Sequence, residues 1–78
     1  MDIRYSKAAT KFLRKQGIAT QFRIISAIEK IPLGYGDIVK LQGIDGYRLR
    51  VGNFRVIYDT YGNILDIIDI DNRGQVYK

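Results

Sequence analysis

Residues 47–58 read YRLRVGNFRVIY, and this stretch decides the fold. Apolar and basic residues alternate on both sides of the central Gly52 and Asn53, and a period of two is typical of a strand with one buried face. Glycine and asparagine tolerate the positive φ that a two-residue turn demands, so the stretch predicts a β-hairpin. A turn at these two residues pairs Val51 with Phe54 and sets the register of the remaining pairs.

The predicted register divides the hairpin into an apolar face and a basic face. The apolar face carries Tyr47, Leu49, Val51, Phe54, Val56 and Tyr58. On the basic face Arg50 lies opposite Arg55, and Arg48 lies opposite Ile57. Directly opposed like charges destabilise a sheet. Two interpretations are open: the arginines extend into solvent, or they bind phosphate, whose oxygens suit the planar fork of the guanidinium.

The composition indicates one small globular domain that spans residues 1–78. Hydrophobic residues make up 46% of the chain and aromatic residues 12%, which is too apolar for a disordered protein. The chain has neither cysteine nor histidine, so no disulfide and no thiolate or imidazole metal site is expected. It also lacks a glycine-rich phosphate loop and a dinucleotide fingerprint, so we expect no cofactor.

Charge and hydropathy narrow the classes of partner. No apolar run approaches the length of a membrane span, and the first residues lack the apolar core of a signal peptide, so we expect a cytoplasmic protein without a membrane partner. The net charge is +5, and residues 1–30 carry +5, residues 31–58 carry +2 and residues 59–78 carry −2. A basic domain favours nucleic acid or an acidic protein as a partner, although the same charge also serves solubility.

The N-terminal half predicts the first part of an α+β domain, in which a strand and a two-helix hairpin precede an antiparallel β-meander. Asp2–Tyr5 is the first strand, and Ser6 is a natural N-cap for the first helix. Gly17 is expected to end that helix. The second helix is expected over residues 19–30, before Pro32. Its predicted apolar face consists of Phe22, Ile24, Ile25, Ile28 and Ile31.

The C-terminal half predicts the rest of the sheet. Residues 37–41 form either a short helical turn or an extended connector. Residues 64–70 (ILDIIDI) are apolar on both faces, which predicts a covered strand near the middle of the sheet. Regular alternation there places Leu65 and Ile67 on the apolar face. The same alternation places Asp66, Ile68 and Ile70 on the face of the arginines.

The chain resembles the RelE/ParE superfamily of toxins from type II toxin–antitoxin systems. The resemblance covers nearly the whole chain and rests on four stretches, residues 40–43 (KLQG), 47–51 (YRLRV), 53–58 (NFRVIY) and 72–77 (NRGQVY). The order of the predicted elements also matches this superfamily. Any one of these stretches alone would be weak, whereas together they are fairly specific.

The resemblance implies a ribosome-dependent messenger-RNA endoribonuclease that an antitoxin holds inactive. In RelE-like toxins the ribose 2′-hydroxyl of messenger RNA in the ribosomal A site attacks the neighbouring phosphorus and leaves a cyclic phosphate. By the same resemblance, the site residues are Arg48, Arg50, Arg55, Arg73 and Tyr77. Arg55 and Arg73 would stabilise charge on phosphate oxygens. Tyr77 would stack on a base or take part in proton transfer.

The chain departs from this pattern at Arg48 and Arg50, where RelE-like nucleases often carry lysine. Arginine stays protonated in proteins, so it clamps a phosphate but cannot act as a general base. Tyr77, Asp66 or a ribosomal RNA group would have to accept the proton. Two alternatives stay open: a ParE-like toxin that poisons DNA gyrase, and a toxin-like domain that binds RNA or protein without catalysis.

Overall fold

The computed structural model describes residues 1–72. Its elements, in chain order, are β1 (Asp2–Tyr5), α1 (Lys7–Arg14), α2 (Ile18–Glu29), a 3₁₀ turn at Ile31–Leu33, β2 (Asp37–Lys40), β3 (Tyr47–Val51), β4 (Phe54–Tyr61) and β5 (Ile64–Asn72). The five strands form one sheet in the order β1-β5-β4-β3-β2. β1 is parallel to β5, and the other neighbours are antiparallel. The predicted α+β architecture is confirmed.

The β3–β4 hairpin has the register that its turn predicts. Val51 pairs with Phe54, and Arg50 pairs with Arg55. Gly52 has a φ of 60°, whereas no non-glycine residue among residues 1–72 has a positive φ. A positive φ at the first central residue alone is the pattern of a type II′ turn, which favours glycine there. Gly52 rather than Asn53 therefore determines the turn.

The other strands complete the sheet around this hairpin. β5 lies between β1 and β4, as its apolar sequence predicts. Asp37–Lys40 is extended and pairs with β3, so the helical alternative for this segment is wrong. β4 continues to Tyr61, beyond its predicted end at Tyr58, because it pairs with β5 along its whole length. None of the helices within residues 1–72 is long and apolar enough to cross a membrane.

The helices cover one face of the sheet, and the core lies between these two layers. Its buried side chains are Ala9, Leu13, Ile24, Ile28, Leu49, Val51, Val56, Tyr58, Leu65, Ile67 and Ile70. The apolar face of the hairpin therefore packs against the helices, as predicted. Phe12 of α1 meets Phe54 of β4 edge-on, with ring centroids 6.0 Å apart.

The turn between the helices differs from the prediction. α1 ends at Arg14, and Lys15 closes it in a right-handed conformation. Gly17 has a φ of −64° and a ψ of 161°, and it is the N-cap of α2 rather than the end of α1. The amide of Gln16 already bonds to the carbonyl of Leu13 at 3.0 Å, so the chain needs no left-handed glycine to leave α1.

The predicted apolar face of α2 is only partly correct. Ile24 and Ile28 are fully buried, but Phe22 is 74% exposed. Isoleucines at several helical phases, together with Phe22, give α2 two apolar stripes. The sheet can contact one of them, and it takes the stripe of Ile24 and Ile28.

A β-bulge in β5 overturns the predicted facing of Ile70. Tyr58 pairs with Ile67, but Ile57 pairs with Asp69, so Ile68 is an extra residue in β5. A bulge of this kind reverses the alternation beyond it. Ile70 therefore lies in the core at 2% exposure, and the prediction that it shares the face of the arginines is wrong.

Ser6 holds this bulge against the start of α1. The Ser6 hydroxyl accepts a hydrogen bond from the amide of Ala9 at 3.0 Å, which confirms the predicted N-cap. It also donates to the carbonyl of Ile68 at 2.6 Å. The Ser6 amide donates to the carbonyl of Ile67 at 2.9 Å. One side chain thus links the helices to the irregular part of the sheet.

Candidate nucleic-acid interface

The predicted arginines lie on the open face, which is the sheet face turned away from the helices. Arg48 and Arg50 come from β3, and Arg55 comes from β4. Because successive side chains of a strand point to opposite faces of the sheet, these three point away from the buried Leu49 and Val56. Arg50 is exposed, whereas Arg48 and Arg55 are half-buried.

The like-charged pair at the centre of this face is flanked by two carboxylates. Register across the sheet aligns Asp37 of β2 with Arg50, Arg50 with Arg55, and Arg55 with Asp71 of β5. We call this line of four residues the charged row. Its signs run negative, positive, positive, negative. The two aspartates offset the repulsion that the hairpin alone would suffer.

Arg55 and Asp71 form an ion pair. An Nη of Arg55 lies 2.8 Å from a carboxylate oxygen of Asp71, and this is the one ion pair within residues 1–72. The two side chains remain 31% and 36% exposed. A pair this accessible contributes less than about 1 kcal/mol to stability. Arg55 can therefore exchange Asp71 for another anion, such as a phosphate, with little loss of stability.

Several polar atoms beside the charged row are closed to solvent without a hydrogen-bond partner among the described residues. They are Nε of Arg48, Nε of Arg55, Oδ1 of Asp71 and Oδ1 of Asn72. A buried polar atom that stays unpaired costs about 1–3 kcal/mol. Three of the four atoms belong to open-face side chains, those of Arg48, Arg55 and Asp71, whereas Asn72 pairs with Phe54 on the helix side. A bound group that supplies hydrogen bonds there would recover part of that cost.

The opposite end of the open face is acidic. Asp59 pairs with Asp66, and Asp66 pairs with Arg4 of β1. Arg55 and Asp59 are four residues apart on one strand, which is about 13 Å at 3.3 Å per residue. The face as a whole carries four arginines (4, 48, 50 and 55) and six aspartates (2, 37, 59, 66, 69 and 71). A polyanion would bind at the arginine end and be repelled from the other.

The residues considered for proton transfer lie at different ends of the open face. Asp66 lies at the acidic end, about 13 Å from the charged row along the strands, whereas Asp71 is part of that row. Tyr61 is on the open face, and the neighbouring Asp59 carboxylate raises the pKa of its hydroxyl. Burial raises the pKa of Tyr58, which stacks on Tyr47 on the core side at 5.4 Å. Both hydroxyls are therefore protonated at neutral pH.

The structure thus brings together three of the five predicted site residues. Arg73 and Tyr77 lie outside the described residues. Sequence reasoning missed Asp37 and Asp71. Asp71 was missed because no local pattern indicates the bulge that turns it toward the arginines. Asp37 was missed because its segment was compatible with both a helical turn and an extended connector.

Comparison with known proteins identifies the fold. No protein-family model matches the chain, and no curated protein matches it by sequence. Eight chains of solved structures do match it. A chain of the archaeal RelE–RelB complex from Pyrococcus horikoshii is 26% identical, with 95% of this chain and 96% of that chain covered and a TM-score of 0.76.

Two further solved structures have the same fold as this chain. A chain of the RelB–RelE antitoxin–toxin complex from Methanococcus jannaschii is 25% identical, with 95% of this chain and 94% of that chain covered and a TM-score of 0.76. The YoeB dimer from Staphylococcus aureus has the same fold at 21% identity, with coverage of 88% and 92% and a TM-score of 0.72. With the element order and hairpin described above, these similarities show that the chain has the RelE-like fold, and they support its assignment as a RelE-type toxin of a type II toxin–antitoxin system.

Proposed function

We propose that this chain inhibits translation as a ribosome-dependent messenger-RNA endoribonuclease. The observation that carries the proposal is the charged row, where Arg50 and Arg55 meet on an open sheet face with Arg48 beside them. The similarity to chains of RelE–RelB complexes supports a toxin role for the chain, and the nuclease is what the resemblance to RelE-like toxins implies. The expected substrate is messenger RNA in the ribosomal A site, and the expected location is the cytoplasm.

The charged row suits the chemistry of RNA cleavage. The 2′-hydroxyl oxygen bonds to the adjacent phosphorus while the bond from phosphorus to the 5′-oxygen breaks, which gives a 2′,3′-cyclic phosphate and a 5′-hydroxyl. The 2′-hydroxyl loses its proton to a base, and the 5′-oxygen gains a proton from an acid. Arg55 and Arg50 would stabilise the charge that develops on the phosphate oxygens.

The arginines themselves cannot take the proton, because a guanidinium does not deprotonate in proteins. Asp71 is better placed as an acceptor than Asp66, since Asp71 lies beside Arg55 and Asp66 lies at the acidic end of the face. Tyr77 and ribosomal RNA groups remain candidates for proton transfer, and Arg73 remains a candidate for stabilising charge on the phosphate oxygens.

The resting partner in this proposal is an antitoxin. Two of the similar structures are RelE–RelB complexes, and one of them is described as an antitoxin–toxin complex. An antitoxin segment with carboxylates could occupy the arginine end of the open face in place of phosphate. Co-expression with the product of the adjacent reading frame, followed by purification, tests this part of the proposal.

Single-turnover cleavage of messenger RNA on programmed ribosomes tests the nuclease. Arg55→Ala should slow cleavage by about 10²–10³-fold, the typical cost of removing one preorganised donor. Lys30→Ala removes an exposed cation from α2's C-cap and serves as the control. An Arg55→Ala rate equal to that of Lys30→Ala would exclude Arg55 from catalysis, and no cleavage by the wild type would reject the nuclease.

A gyrase-directed toxin is the second candidate, and the arginines at positions 48 and 50 favour it. With arginine rather than lysine there, the hairpin has no side chain that can exchange a proton near neutral pH. A supercoiling assay with purified DNA gyrase separates the two candidates. Inhibition of gyrase by a chain that leaves messenger RNA intact would establish the alternative. A chain inactive in both assays would be a non-catalytic binding domain.

A further inference from the structure

The arginine pair of the charged row has carboxylates on three of its sides. Asp37 lies next to Arg50 at one end of the row, and Asp71 lies next to Arg55 at the other. The acidic end of the open face is about 13 Å away along the strands. On the fourth side is the hairpin tip, residues 52–53, whose Gly-Asn sequence carries no charge. A polyanion held by the two arginines is therefore least opposed where it crosses this tip.

Arg23 of α2 lies at the hairpin tip. A Cβ on Gly52 would be 2.5 Å from an Nη of Arg23 and 3.1 Å from its Cζ, so the guanidinium rests directly against the Cα of Gly52. A larger residue at this position would displace the guanidinium. Position 52 therefore favours glycine twice, once for the φ of 60° and once for the space that Arg23 occupies.

The contact with Gly52 leaves the charge and the donors of Arg23 available. Arg23 is exposed and forms no ion pair within residues 1–72, where the single pair is Arg55 with Asp71. A guanidinium has five N–H donors in one rigid plane, and packing against a Cα uses none of them. Because the contact restrains the group, less conformational freedom is lost when an anion binds to it.

Three arginines thus surround the hairpin tip. Arg50 and Arg55 lie on the open face, and Arg50 is two residues from Gly52, which is about 7 Å along the strand at 3.3 Å per residue. Arg23 reaches the same tip from the helix side. The three cations therefore form a track that leads from the open face over the tip toward the helices.

We propose that RNA bound at the charged row crosses the hairpin tip and places a phosphate on Arg23. One phosphate would lie between Arg50 and Arg55, and a neighbouring phosphate of the same strand would accept hydrogen bonds from the guanidinium of Arg23. Arg23 thus fixes the direction of the strand without touching the reacting atoms. The inference rests on the proposed function, because it concerns the path of the same RNA.

The charges of the molecule favour this path over the alternatives. A strand that ran along β4 and β5 would approach Asp59 and Asp66 at the acidic end. A strand that ran along the charged row would meet an aspartate at either end. Beyond the tip, residues 7–33 carry six cations and a single acid, so they attract the continuing strand.

RNA suits the track better than an acidic protein segment does. Protein interfaces depend on a few buried anchors, most often aromatic side chains. The tip consists of Gly52 and Asn53, which offer no pocket or apolar side chain for such an anchor. Phosphate contacts need only cations and hydrogen-bond donors, and they supply most of the affinity of non-specific nucleic-acid binding.

The salt dependence of binding to a single-stranded RNA of twelve nucleotides tests the contact. Arg23→Ala should weaken binding about threefold to tenfold at low salt and flatten the slope by about 0.7, the loss of one phosphate contact. Arg23→Lys keeps the charge and should keep the slope. Arg14→Ala is the matched control, because Arg14 lines a groove with Gln21 and Ile25, about 200° around α2 from Arg23. Equal slopes for Arg23→Ala and Arg14→Ala would overturn the proposal.

NMR titration of the isotope-labelled full chain with the same RNA tests the path. We expect shifts at Gly52, Asn53 and Arg23, and none at Tyr61 or Asp66. Shifts at Tyr61 and Asp66 instead would place the strand along the open face and contradict the inference, as would a wild type that binds no RNA. A polyglutamate peptide that displaces the RNA from Gly52 and binds more tightly would identify a protein partner and also overturn it.

Thermal unfolding distinguishes RNA binding from a structural role of Arg23. The side chain is exposed, so Arg23→Ala should leave the melting temperature unchanged. A variant that melts lower but keeps the salt slope of the wild type would show that Arg23 only supports the turn, and the proposal would fail.

Cleavage on programmed ribosomes separates this inference from the proposed function. Arg23→Ala should raise KM about threefold to tenfold with little change in kcat, because it removes binding remote from the reacting phosphate. An unchanged KM in an active enzyme would reject the path and leave the nuclease standing. RNA shifts at the tip, with a slope that depends on Arg23, in a chain that cleaves no messenger RNA would support the path and reject the nuclease.

Discussion

The open face and the helix layer, meaning residues 7–33 with α1, α2, their caps and the 3₁₀ turn, differ in how they carry charge. The open face holds four arginines and six aspartates, many of them aligned in rows across the strands. The helix layer holds six cations (7, 11, 14, 15, 23 and 30) and a single acid, Glu29. The excess positive charge of the chain therefore comes from the helix layer, although the arginines that we propose as the site are on the sheet.

This difference shows that the net charge of the chain and the local arrangement of its charges have separate effects on anion binding. The charged row concentrates positive potential at one end of the open face, although the net charge of that face is negative. Unopposed lysines on a helix raise the overall potential and the rate of encounter with any polyanion. Local pairing determines where an anion is held, and net charge determines how fast it arrives.

The largest effect we expect distinguishes the two stripes of α2. Ile28→Ala should lower the free energy of unfolding by about 2–5 kcal/mol, because it opens a cavity in the core. Phe22→Ala should change it by less than about 0.5 kcal/mol, because Phe22 is exposed. Urea denaturation measures both variants. Equal losses would mean that Phe22 is buried in solution.

Ser6→Ala should have the next largest effect, because Ser6 joins the helix layer to the bulge. Loss of an N-cap costs about 0.5–2 kcal/mol, and the hydrogen bond to Ile68 adds to that figure. Ser6→Thr keeps the hydroxyl and is the matched control. Thermal unfolding of the three proteins provides the measurement. A Ser6→Ala protein as stable as the wild type would show that the bulge does not depend on this contact.

Asp71→Asn should act in opposite directions on stability and on RNA affinity. It leaves Arg55 facing Arg50 without its carboxylate, so stability should fall by up to about 1 kcal/mol. It also removes a negative charge beside the expected phosphate, so affinity for single-stranded RNA should rise about threefold to tenfold at low salt. Glu29→Gln removes the same charge from the helix layer and should change neither. A fall in affinity would mean that Asp71 orients Arg55 for RNA.

The salt dependence of RNA binding tests which surface carries it. Binding that neutralises about four phosphates has a slope of about −3 in log affinity against log salt concentration on single strands. Arg48→Ala or Arg55→Ala should flatten that slope by about 0.7 each. A slope that changes with Lys7→Ala but with neither arginine variant would move the binding site to the helices.

The smallest expected effect appears at alkaline pH. Burial raises the pKa of Tyr58, and burial followed by the nearby Glu29 raises that of Tyr5, each above the ordinary 10.0. Their neutral forms stabilise the fold fully below about pH 10, and this contribution is lost as the pH rises through the raised pKa values. Tyr58→Phe should make the fall shallower, and the exposed Tyr35→Phe should not. Chemical denaturation between pH 8 and about pH 11.5 follows the change.

Sequence patterns predicted the element order, the hairpin register and the three clustered arginines. These features depend on residues close together in the chain. A glycine with positive φ sets the β3–β4 turn, and the turn then sets which residues oppose each other. The identity of Arg48, Arg50 and Arg55 as neighbours on one face follows from that local geometry.

The tertiary structure alone decided the remaining parts of the site. The bulge at Ile68 is hydrogen-bonded to Ser6, which is 62 residues away in sequence. That bulge moves Ile70 into the core and Asp71 next to Arg55. The rotation of α2, which buries Ile28 and exposes Phe22, depends likewise on the sheet it meets. Local propensity cannot encode these choices, because the energies that select them come from groups brought together only by folding.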